Sequence, residues 1–592
     1  SIAVKDPGHV FSQLLATFGA LGRPAAVIRG RRNAARTRRI RRSVMKGLQT
    51  PRREVWAHRR SLIEAFGADD FGDELTGPGP LTEQPTGNTG DADDFAAIAT
   101  PDRGWVGSGA VLAIVLTLAV SLTGLLSLFR APAVSGGALI PVSVRLSEIW
   151  NHASTWWISL GAGLPGHGDP FGYLLWVLGV LGAGDANGGV SWLLILAMPL
   201  SALGAWFAAG ALTTRRRLRL AAALLWAAAP ALQVSLNQGR LGALAAHVMI
   251  PVLVLALLRA TGTAAGRGVH AVPALGQGRP TPKPAARPGV NGTPSWTAAA
   301  AAGLTLAVVT AAAPSLLVPS VAVVALCGLL PGRRGRTVWW ALLPSLALFL
   351  PFAFSVLDRP LALLADPGLP LGFDAAPLWQ QALGQPLSFD ANAGLDGLSA
   401  FGGSAAGSTG PAGLPWALLL ALLFGLPVLL LALAALFMPR RLVLAERTWT
   451  ARCLWAAAVL MLTGGWLAGH VASGAGSGVL VTPFTGPSVS AAAFALLGAA
   501  LIAAEGLLDA ADRTTGSRLA RKVLIRGTAV AALTLLLAAP LAGFTLWTAQ
   551  NLLQPTSGAP SLAQSPASTP TGAPAGLGTP RLVQPAQVRT LP

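Results

Sequence analysis

Eleven long apolar runs between residues 105 and 548 are the feature that most constrains the fold of this chain. An α-helix needs roughly 20 apolar residues to cross about 30 Å of hydrocarbon, and most runs approach or exceed that length with almost no charge. Hydrophobic residues make up 53% of the 592 residues and charged residues only 11%, with a mean hydropathy of +0.57. We therefore predict an all-α polytopic membrane protein with about 11 transmembrane helices. The predicted helices cover residues 105–129, 190–212, 219–234, 241–258, 296–312, 314–331, 338–357, 416–438, 453–471, 487–507 and 527–548.

Composition divides the chain into four segments. Residues 1–66 form a basic juxtamembrane segment, and residues 67–103 form an acidic linker rich in Gly and Pro that we expect to be disordered. Residues 104–548 form the multi-spanning membrane domain. Residues 549–592 are rich in Pro, Ala, Ser and Thr, which predicts a disordered tail.

The basic segment contains a stretch at residues 23–60 with 14 Arg or Lys and a single acid. Aliphatic residues between the cations are sparse, but they can line one side of a surface helix and leave the cations to face anionic lipid headgroups. A nucleic-acid partner is the alternative, yet no aromatic interleaving or known binding motif accompanies the charge. We expect anionic headgroups as the partner, and no nucleic acid.

Basic residues also predict the orientation in a plasma membrane. If the N-terminus is cytoplasmic, the loops assigned inside hold more than three times as many Arg and Lys as those assigned outside. The C-terminal tail is then extracytoplasmic. A short run at residues 171–184 fits only as an interfacial or re-entrant helix, because a full span there would put the Arg-rich residues 215–219 outside. Two long outer loops result, at residues 130–189 and 358–415.

Nothing in the sequence calls for a metal or a cofactor, and we predict neither. Cys327 and Cys453 lie in or beside apolar runs, where we expect them to be small core residues. The sequence DADD at residues 91–94 matches the Asp-x-Asp pattern of metal-dependent nucleotide-sugar transferases, but the linker cannot supply the surrounding α/β sheet. No signal peptide is predicted after Ser1, and the chain fits a part of a longer polypeptide.

One stretch carries a resemblance: "LLWAAAPALQVSLNQGRLGALAAHVMIPVLVLALLRA". With the Arg-rich sequence before it and the long first outer loop, it resembles the membrane region of polyprenyl-linked sugar transferases of the GT-C type. More closely, the chain resembles the C-terminal membrane half of large actinobacterial family-2 glycosyltransferases, including the basic "GRPAAVIRGRRNAARTRRIRR". The likeness of pattern covers most of residues 20–550, and the turn NQGRLG is its distinctive part. It implies a GT-C-like bundle with a long first extracytoplasmic loop.

This resemblance implies the membrane domain of a glycosyltransferase acting on a polyprenyl-phosphate-linked cell-envelope glycan. In that family a GT-A domain takes a sugar from a nucleotide donor in the cytoplasm, and this sequence does not contain that domain. A GT-C domain uses a lipid-phosphate sugar outside, with an acid of the first outer loop as base, which implies Glu148 as the catalytic residue. The alternative is a non-catalytic lipid-glycan scaffold or transporter, which ionisable residues within spans would favour.

The turn NQGRLG places a cation at the outer start of a predicted span, against the general charge bias. Arg240 follows Gln238 by two residues, and its guanidinium suits a lipid phosphate that the amides of a helix N-terminus also bind. His247 lies on about the same helical face, where it can bond a ligand or a neighbouring helix. We predict substrate binding by Arg240, His247 and Gln238. The alternatives are an arginine that reaches lipid headgroups and a histidine paired with a backbone carbonyl.

Carboxylates of the two outer loops are the remaining candidates. Asp169 is predicted to bind substrate, although "GDPF" also suits a helix cap followed by proline. For Glu148 the alternative to catalysis is a solvated loop carboxylate. We expect solvent around the five aspartates of the second outer loop, which are Asp358, Asp366, Asp374, Asp390 and Asp396.

Overall fold

A computed structural model of the chain covers most of the predicted membrane domain. It describes residues 106–125, 128, 134–143, 145–158, 164–263, 295–329, 333–388, 416–438, 445–476, 479–513, 519–553 and 581–582. The basic stretch at residues 23–60 and the linker at residues 67–103 lie outside the described residues, as does most of the tail. Our expectations for those segments remain predictions.

Helices make up almost all of the described part, as the apolar runs predict. The α-helices are α1 (Val106–Gly124), α2 (Leu146–Ser154), α3 (Phe171–Leu181), α4 (Ala186–Leu212), α5 (Arg216–Ala227), α6 (Pro230–Asn237), α7 (Leu241–Ala260), α8 (Trp296–Ala312), α9 (Leu317–Gly328), α10 (Arg333–Arg336), α11 (Leu342–Ser355), α12 (Leu378–Ala382), α13 (Trp416–Phe437), α14 (Ala445–Ala468), α15 (Gly486–Arg513) and α16 (Leu519–Leu553). Short 3-10 helices cover Pro314–Leu316, Val338–Ala341 and Pro360–Leu364. For the described residues the all-α prediction is confirmed.

Strands are limited to two or three residues each. They are β1 (Val134–Ser135), β2 (Trp157–Ile158), β3 (Leu164–Pro165), β4 (Gly474–Gly476), β5 (Val479–Val481) and β6 (Arg581–Leu582). Each pairs antiparallel with one other strand, as β1–β6, β2–β3 and β4–β5. The β2–β3 and β4–β5 ladders close turns in the loops, whereas β1–β6 pairs the loop after α1 with the C-terminal segment. None of them adds a layer to the fold.

Seven helical stretches among the described residues are long and apolar enough to cross a membrane. They correspond to seven of the predicted spans, and apolar helical stretches of 10–17 residues lie within the other four. A multi-pass membrane protein is therefore confirmed. The count of eleven spans remains a prediction.

The span predicted at residues 219–234 is interrupted. Helix α5 ends at Ala227 and α6 begins at Pro230. Proline lacks the N–H that would continue the helical hydrogen bonding, and its ring collides with the carbonyl one turn earlier. The predicted span therefore consists of two helices, and α5 and α6 together provide a 22-residue candidate span.

The short run at residues 171–184 forms α3, a helix of 11 residues. At 1.5 Å per residue such a helix is about 16 Å long, which is too short to cross the hydrocarbon. The prediction of a short helix in place of a span is therefore confirmed, and its depth relative to the bilayer remains a prediction. Asp185 then caps α4, because its carboxylate accepts the Asn187 N–H at 3.0 Å.

Glycines allow the first helix to pack closely against two tryptophans. A Cβ at Gly109 would lie 2.2 Å from the ring of Trp206 on α4, and a Cβ at Gly124 would lie 2.2 Å from Trp547 on α16. Both tryptophans are only 1% exposed. Small residues on α1 therefore fix its position in the bundle, as is common where apolar helices pack in membranes.

Contacts between loops fall into two groups at opposite ends of the bundle, which α5 and α6 connect. At one end the Ala138 N–H donates to the Gln238 carbonyl, and the Leu369 N–H donates to the Ala138 carbonyl, both at 3.0 Å. At the other end the Thr214 N–H donates to the Glu505 carboxylate at 3.0 Å. This grouping matches the predicted assignment of loops to the two sides. Which end faces the cytoplasm remains a prediction.

Cysteine labelling tests that orientation. We expect Asp358→Cys to react with a membrane-impermeant maleimide in intact cells and Arg216→Cys to react only after permeabilisation, in a chain whose native cysteines are replaced by alanine. Asp358 and Arg216 are both exposed and follow or begin helices at opposite ends of the bundle. Reaction of Arg216→Cys in intact cells, with protection of Asp358→Cys, would reverse the orientation.

Candidate functional site

The two loops that are predicted to lie outside hold the turn NQGRLG in place. Gly239 has a φ of +62°, which favours glycine, and a Cβ there would lie 2.7 Å from the Gly136 carbonyl oxygen. Ala138 bonds the Gln238 carbonyl through its N–H and accepts the Leu369 N–H through its own carbonyl, each at 3.0 Å. The turn therefore joins a segment of the first outer loop to a segment of the second.

The guanidinium of Arg240 is buried at this junction, with only 5% of the residue exposed. Its Nε donates to Gln238 Oε1 at 2.7 Å, and its Nη2 donates to the Leu371 carbonyl at 2.9 Å. Its Nη1 lies 3.9 Å from Asp366 Oδ2. Such burial does not match an arginine that extends to the headgroups. Gln238 serves here to orient the guanidinium.

Two phenylalanines also contact the guanidinium. The Cζ atom of Arg240 lies 4.1 Å from the ring centroid of Phe484 and 5.3 Å from that of Phe373. The two rings pack edge to face, with centroids 5.2 Å apart. Each cation–π contact contributes about 0.5–2 kcal/mol, depending on desolvation. The cation therefore has one fixed orientation before any ligand binds.

Asp366 is the carboxylate beside this cation. Its Oδ2 accepts the Phe484 N–H at 2.5 Å and faces Arg240, and its side chain is 23% exposed. Both contacts use Oδ2, so Oδ1 has no partner among the described residues. The expectation of a solvated carboxylate is wrong for Asp366, because the loop folds back onto Arg240 and Phe484. It holds for Asp358, whose side chain is 67% exposed.

A cavity of about 170 Å³ opens beside Arg240 and Asp366. Its walls come from the first turn of α7, the loop at residues 365–371, and residues of the β4–β5 hairpin and the segment after it. Arg240 and Asp366 are the two ionisable residues in the described lining. Several water molecules, at about 30 Å³ each, fit such a volume, so the cavity can accept a small polar group.

Burial shifts the pKa values of both ionisable residues. It raises the pKa of Asp366 to about 6, although Arg240 and the Phe484 N–H act to lower it. Burial lowers the pKa of Arg240 to about 10, while Asp366 acts to raise it. At neutral pH Arg240 therefore stays charged and Asp366 is mostly ionised. Below about pH 6 Asp366 takes up a proton, and the cavity gains net positive charge.

His247 lies elsewhere, inside the bundle. Its ring stacks on Trp226 with centroids 3.8 Å apart, and its Nε2 lies 3.2 Å from the Trp226 carbonyl oxygen. Its Nδ1 lies 3.0 Å from Ser490 Oγ. The residue is fully buried and does not line the cavity beside Arg240. These contacts match the alternative of a histidine paired with a backbone carbonyl, and the structure does not bring His247 together with Arg240.

Glu148 lies in the first turn of α2, on the surface of the first outer loop. Ser143 Oγ donates to its Oε2, and Arg145 Nη1 lies 3.6 Å from its Oε1. Its side chain is 47% exposed. Within the part of the chain that the structure describes, these polar contacts stay inside its own segment. The structure does not bring Glu148 to the cavity beside Arg240.

Asp169 stands before the first residue of α3. Its Oδ1 accepts the Phe171 N–H at 3.0 Å, and burial raises its pKa to about 6 although that bond acts to lower it. The adjacent loop is tied to α11, because the His167 N–H donates to Ser355 Oγ at 2.7 Å. Asp169 therefore contacts the start of α3, as the alternative of a helix cap predicts, and it does not line the cavity.

Part of the second outer loop is buried between the spans, which the sequence did not predict. Gln380 and Gln381 on α12 are 6% and 3% exposed. A Cβ at Gly425 on α13 would lie 2.4 Å from the Leu383 carbonyl oxygen. Five residues of helix between prolines and glycines give no periodicity from which burial could be inferred. The loop therefore enters the bundle where the sequence predicted only solvated chain.

The cysteines and other candidate metal ligands give no indication of a metal site. No group of three or more His, Cys, Asp or Glu side chains is placed to hold a metal ion among the described residues. Cys327 and Cys453 are unpaired and half-buried, and both line an apolar cavity of about 110 Å³ between spans. That position suits small packing residues. The absence of a metal or cofactor remains a prediction.

No protein-family model and no curated protein matches the chain. Among solved structures, the chain is similar to the apo form of the Archaeoglobus fulgidus oligosaccharyltransferase, with 14% identity and a TM-score of 0.37, over 75% of this chain and 56% of that one. It is also similar to the arabinofuranosyltransferase AftD from Mycobacteria, with 15% identity and a TM-score of 0.36, over 75% of this chain and 27% of that one. The chain thus spans about half and about a quarter of these two proteins. Similarity at this level does not establish a shared fold or activity.

Proposed function

We propose that this chain is the membrane domain of a glycosyltransferase that acts on a polyprenyl-phosphate-linked cell-envelope glycan. The observation that carries the proposal is the cavity at the predicted outer end of the bundle, where a fixed cation lies beside a carboxylate. A lipid-linked sugar phosphate presents an anion with sugar hydroxyls next to it. Arg240 suits the anion, and Asp366 suits a hydroxyl.

The position of the cavity also fits a lipid ligand. Gly242 and Ala243, in the first turn of the predicted span α7, line the cavity together with Arg240. A polyprenyl chain would lie in the hydrocarbon beside the spans, and its phosphate would reach the level where the spans end. The N-terminus of α7 adds partial positive charge at the same level.

The fixed cation would serve the chemistry as well as binding. When a glycosyl group leaves a lipid phosphate, the negative charge on the phosphate increases. A cation that is already oriented by Gln238, Leu371 and Phe484 stabilises that charge without reorganising during the reaction. Binding of the phosphate and stabilisation of the leaving group are then tasks of one side chain.

Reconstitution tests this proposal. The intact protein, in proteoliposomes, is supplied with polyprenyl phosphates that carry a radiolabelled sugar and with lipid-linked glycan acceptors. We expect label to move from the lipid donor to the glycan, with a rate that depends on the protein. The orientation predicted above requires the donor and acceptor to be accessible on the outer face.

Two other outcomes would replace the proposal with the alternative. Binding of the labelled lipid without transfer would identify a scaffold for lipid-linked glycans. Movement of unaltered labelled lipid to the opposite leaflet would identify a transporter. Neither a scaffold nor a transporter needs a carboxylate beside the phosphate, because the two negative charges repel each other. A role in the transfer reaction would account for a carboxylate at this position.

A further inference from the structure

We propose that Asp366 is the catalytic base of the transfer reaction, the residue that accepts the proton of the attacking glycan hydroxyl. The proposal rests on the proposed function and adds a residue that the family resemblance does not supply. The resemblance implies Glu148 of the first outer loop in that role. The geometry points instead to a carboxylate of the second outer loop.

The contacts of Asp366 leave one oxygen available to a ligand. Its Oδ2 accepts the Phe484 N–H and faces Nη1 of Arg240. Its Oδ1 has no partner among the described residues, and the residue lines the cavity. A carboxylate held by one oxygen and open at the other is oriented as a base that accepts a hydroxyl proton.

The reaction balances with this assignment. Asp366 Oδ1 takes the proton of the acceptor hydroxyl, whose oxygen forms a bond to the anomeric carbon of the donor sugar. The bond between that carbon and the phosphate oxygen breaks, and its electron pair leaves with the polyprenyl phosphate. Arg240 holds the phosphate through its Nη atoms while the carboxyl group keeps the proton until release. No oxidant, reductant or further reactant is needed.

Glu148 is a weaker candidate on the same criteria. Both of its carboxylate oxygens have partners, Ser143 for one and Arg145 for the other. Its side chain is nearly half exposed and does not line the cavity. A base must lie within hydrogen-bond reach of the proton that it removes. In this structure Asp366 lines the same cavity as Arg240, the candidate for phosphate binding, and Glu148 does not line it.

Titration of Asp366 suits this role. Burial raises its pKa to about 6, closer to neutrality than an ordinary aspartate, which makes it a stronger base that is still ionised at pH 7. Arg240 is the other ionisable residue in the described lining of the cavity. Because Arg240 stays charged across the useful range, the acidic limb of the pH profile should belong to Asp366. Turnover should therefore fall as the pH falls through about 6.

The test compares Asp366→Asn with the wild-type intact protein in two measurements, affinity for a sugar-free polyprenyl phosphate and turnover in the reconstituted transfer assay. We expect turnover to fall by about 10²- to 10⁴-fold, the usual range for loss of an acid–base group. Affinity should stay the same or rise, because the substitution removes a negative charge beside the phosphate. Asparagine can still accept the Phe484 N–H, so the loop should keep its position.

Asp358→Asn is the matched control, since Asp358 lies in the same loop and pairs only with its neighbour Arg359 among the described residues. This variant should keep wild-type turnover. Residual turnover in Asp366→Asn should also lose the acidic limb near pH 6, which a merely structural residue would not change. Asp366→Glu, which keeps the carboxylate, should recover part of the lost turnover.

Three results would overturn the assignment. The first is turnover in Asp366→Asn within a few-fold of wild type, and the second is loss of turnover in Glu148→Gln alone. The third is loss of both phosphate affinity and turnover in Asp366→Asn, which would show that Asp366 only holds the loop in position. Failure of the proposed function gives a different result, because the wild-type protein itself would then bind or move the lipid without transferring its sugar.

Discussion

Arg240→Ala should weaken binding of polyprenyl phosphate by about ten- to a hundred-fold, because hydrogen bonds between a charged donor and an anion contribute about 1.5–3 kcal/mol. The guanidinium is held by Gln238, Leu371 and Phe484 before the ligand arrives, so little entropy is lost on binding. Arg240→Lys should recover only part of the affinity, since a lysine cannot provide the planar fork. Equilibrium binding of labelled polyprenyl phosphate in detergent micelles measures both variants.

Two further variants, Arg359→Ala and Arg240→Gln, distinguish an effect on ligand binding from an effect on folding. Arg359→Ala removes an exposed arginine of the same outer loop, whose side chain is 79% exposed, and should leave affinity unchanged. Arg240→Gln removes the charge but keeps an amide N–H at the position of Nε, which can still donate to Gln238 Oε1, so it should fold and still bind weakly. Full affinity in a well-folded Arg240→Gln would show that Arg240 ties the loops together and does not hold the phosphate.

The sequence predicted Arg240 from local information alone. A cation in a polar turn directly before an apolar run stands out without knowledge of the fold, and Gln238 is close enough in sequence to be included. The structure shows that Arg240 donates a hydrogen bond to Gln238 at the start of α7. Whether they bind a lipid phosphate remains a prediction that the variants above decide.

Asp366 could not be found in the same way. It lies 126 residues after Arg240, in a Pro- and Gly-rich loop with four other aspartates, and its local sequence gives no reason to select it. Only the return of the loop onto α7 and Phe484 distinguishes it. His247 is the opposite case: helical spacing puts it on about the same face as Arg240, but its ring lies against Trp226 and Ser490 inside the bundle.

The sequence predicted those parts of the fold that burial in the membrane determines. Long apolar runs become helices because backbone groups cannot remain unpaired in hydrocarbon. The sequence did not predict the details that depend on side-chain packing. The insertion of α12 against Gly425 and the break before Pro230 both lie in sequence that hydropathy treats as ordinary loop or ordinary span.

A largely buried ion pair at the predicted inner end should contribute strongly to the stability of the bundle. Glu505 on α15 is 4% exposed, and its carboxylate accepts hydrogen bonds from Arg447 and from the Thr214 N–H and hydroxyl. One turn further along α15, Asp509 accepts the Arg215 Nε–H at 3.2 Å. These contacts join the turn between α4 and α5 to α14 and α15.

Arg447→Ala should therefore lower the free energy of unfolding by about 3 kcal/mol, at the low end of the range for breaking a buried pair. The reason is that Glu505 keeps its bonds to Thr214 but loses its counter-charge in a nearly water-free position. Denaturant titration in detergent micelles measures the change, with helical content as the signal. Glycan transfer by the folded fraction should remain, because the pair lies at the end of the bundle opposite the cavity.

The pair Arg145–Glu148 provides the matched control. It is exposed, with side-chain exposures of 79% and 47%, so Arg145→Ala should change the free energy of unfolding by less than about 1 kcal/mol. In the double variant Arg447→Met with Glu505→Gln, no buried charge remains and glutamine can still accept the Thr214 N–H. It should recover most of the loss, as replacement of a whole buried pair usually does. Equal losses in Arg447→Ala and the double variant would show that the unpaired charge is not the cause, and that the bundle depends on the hydrogen bond that Arg447 donates to Glu505.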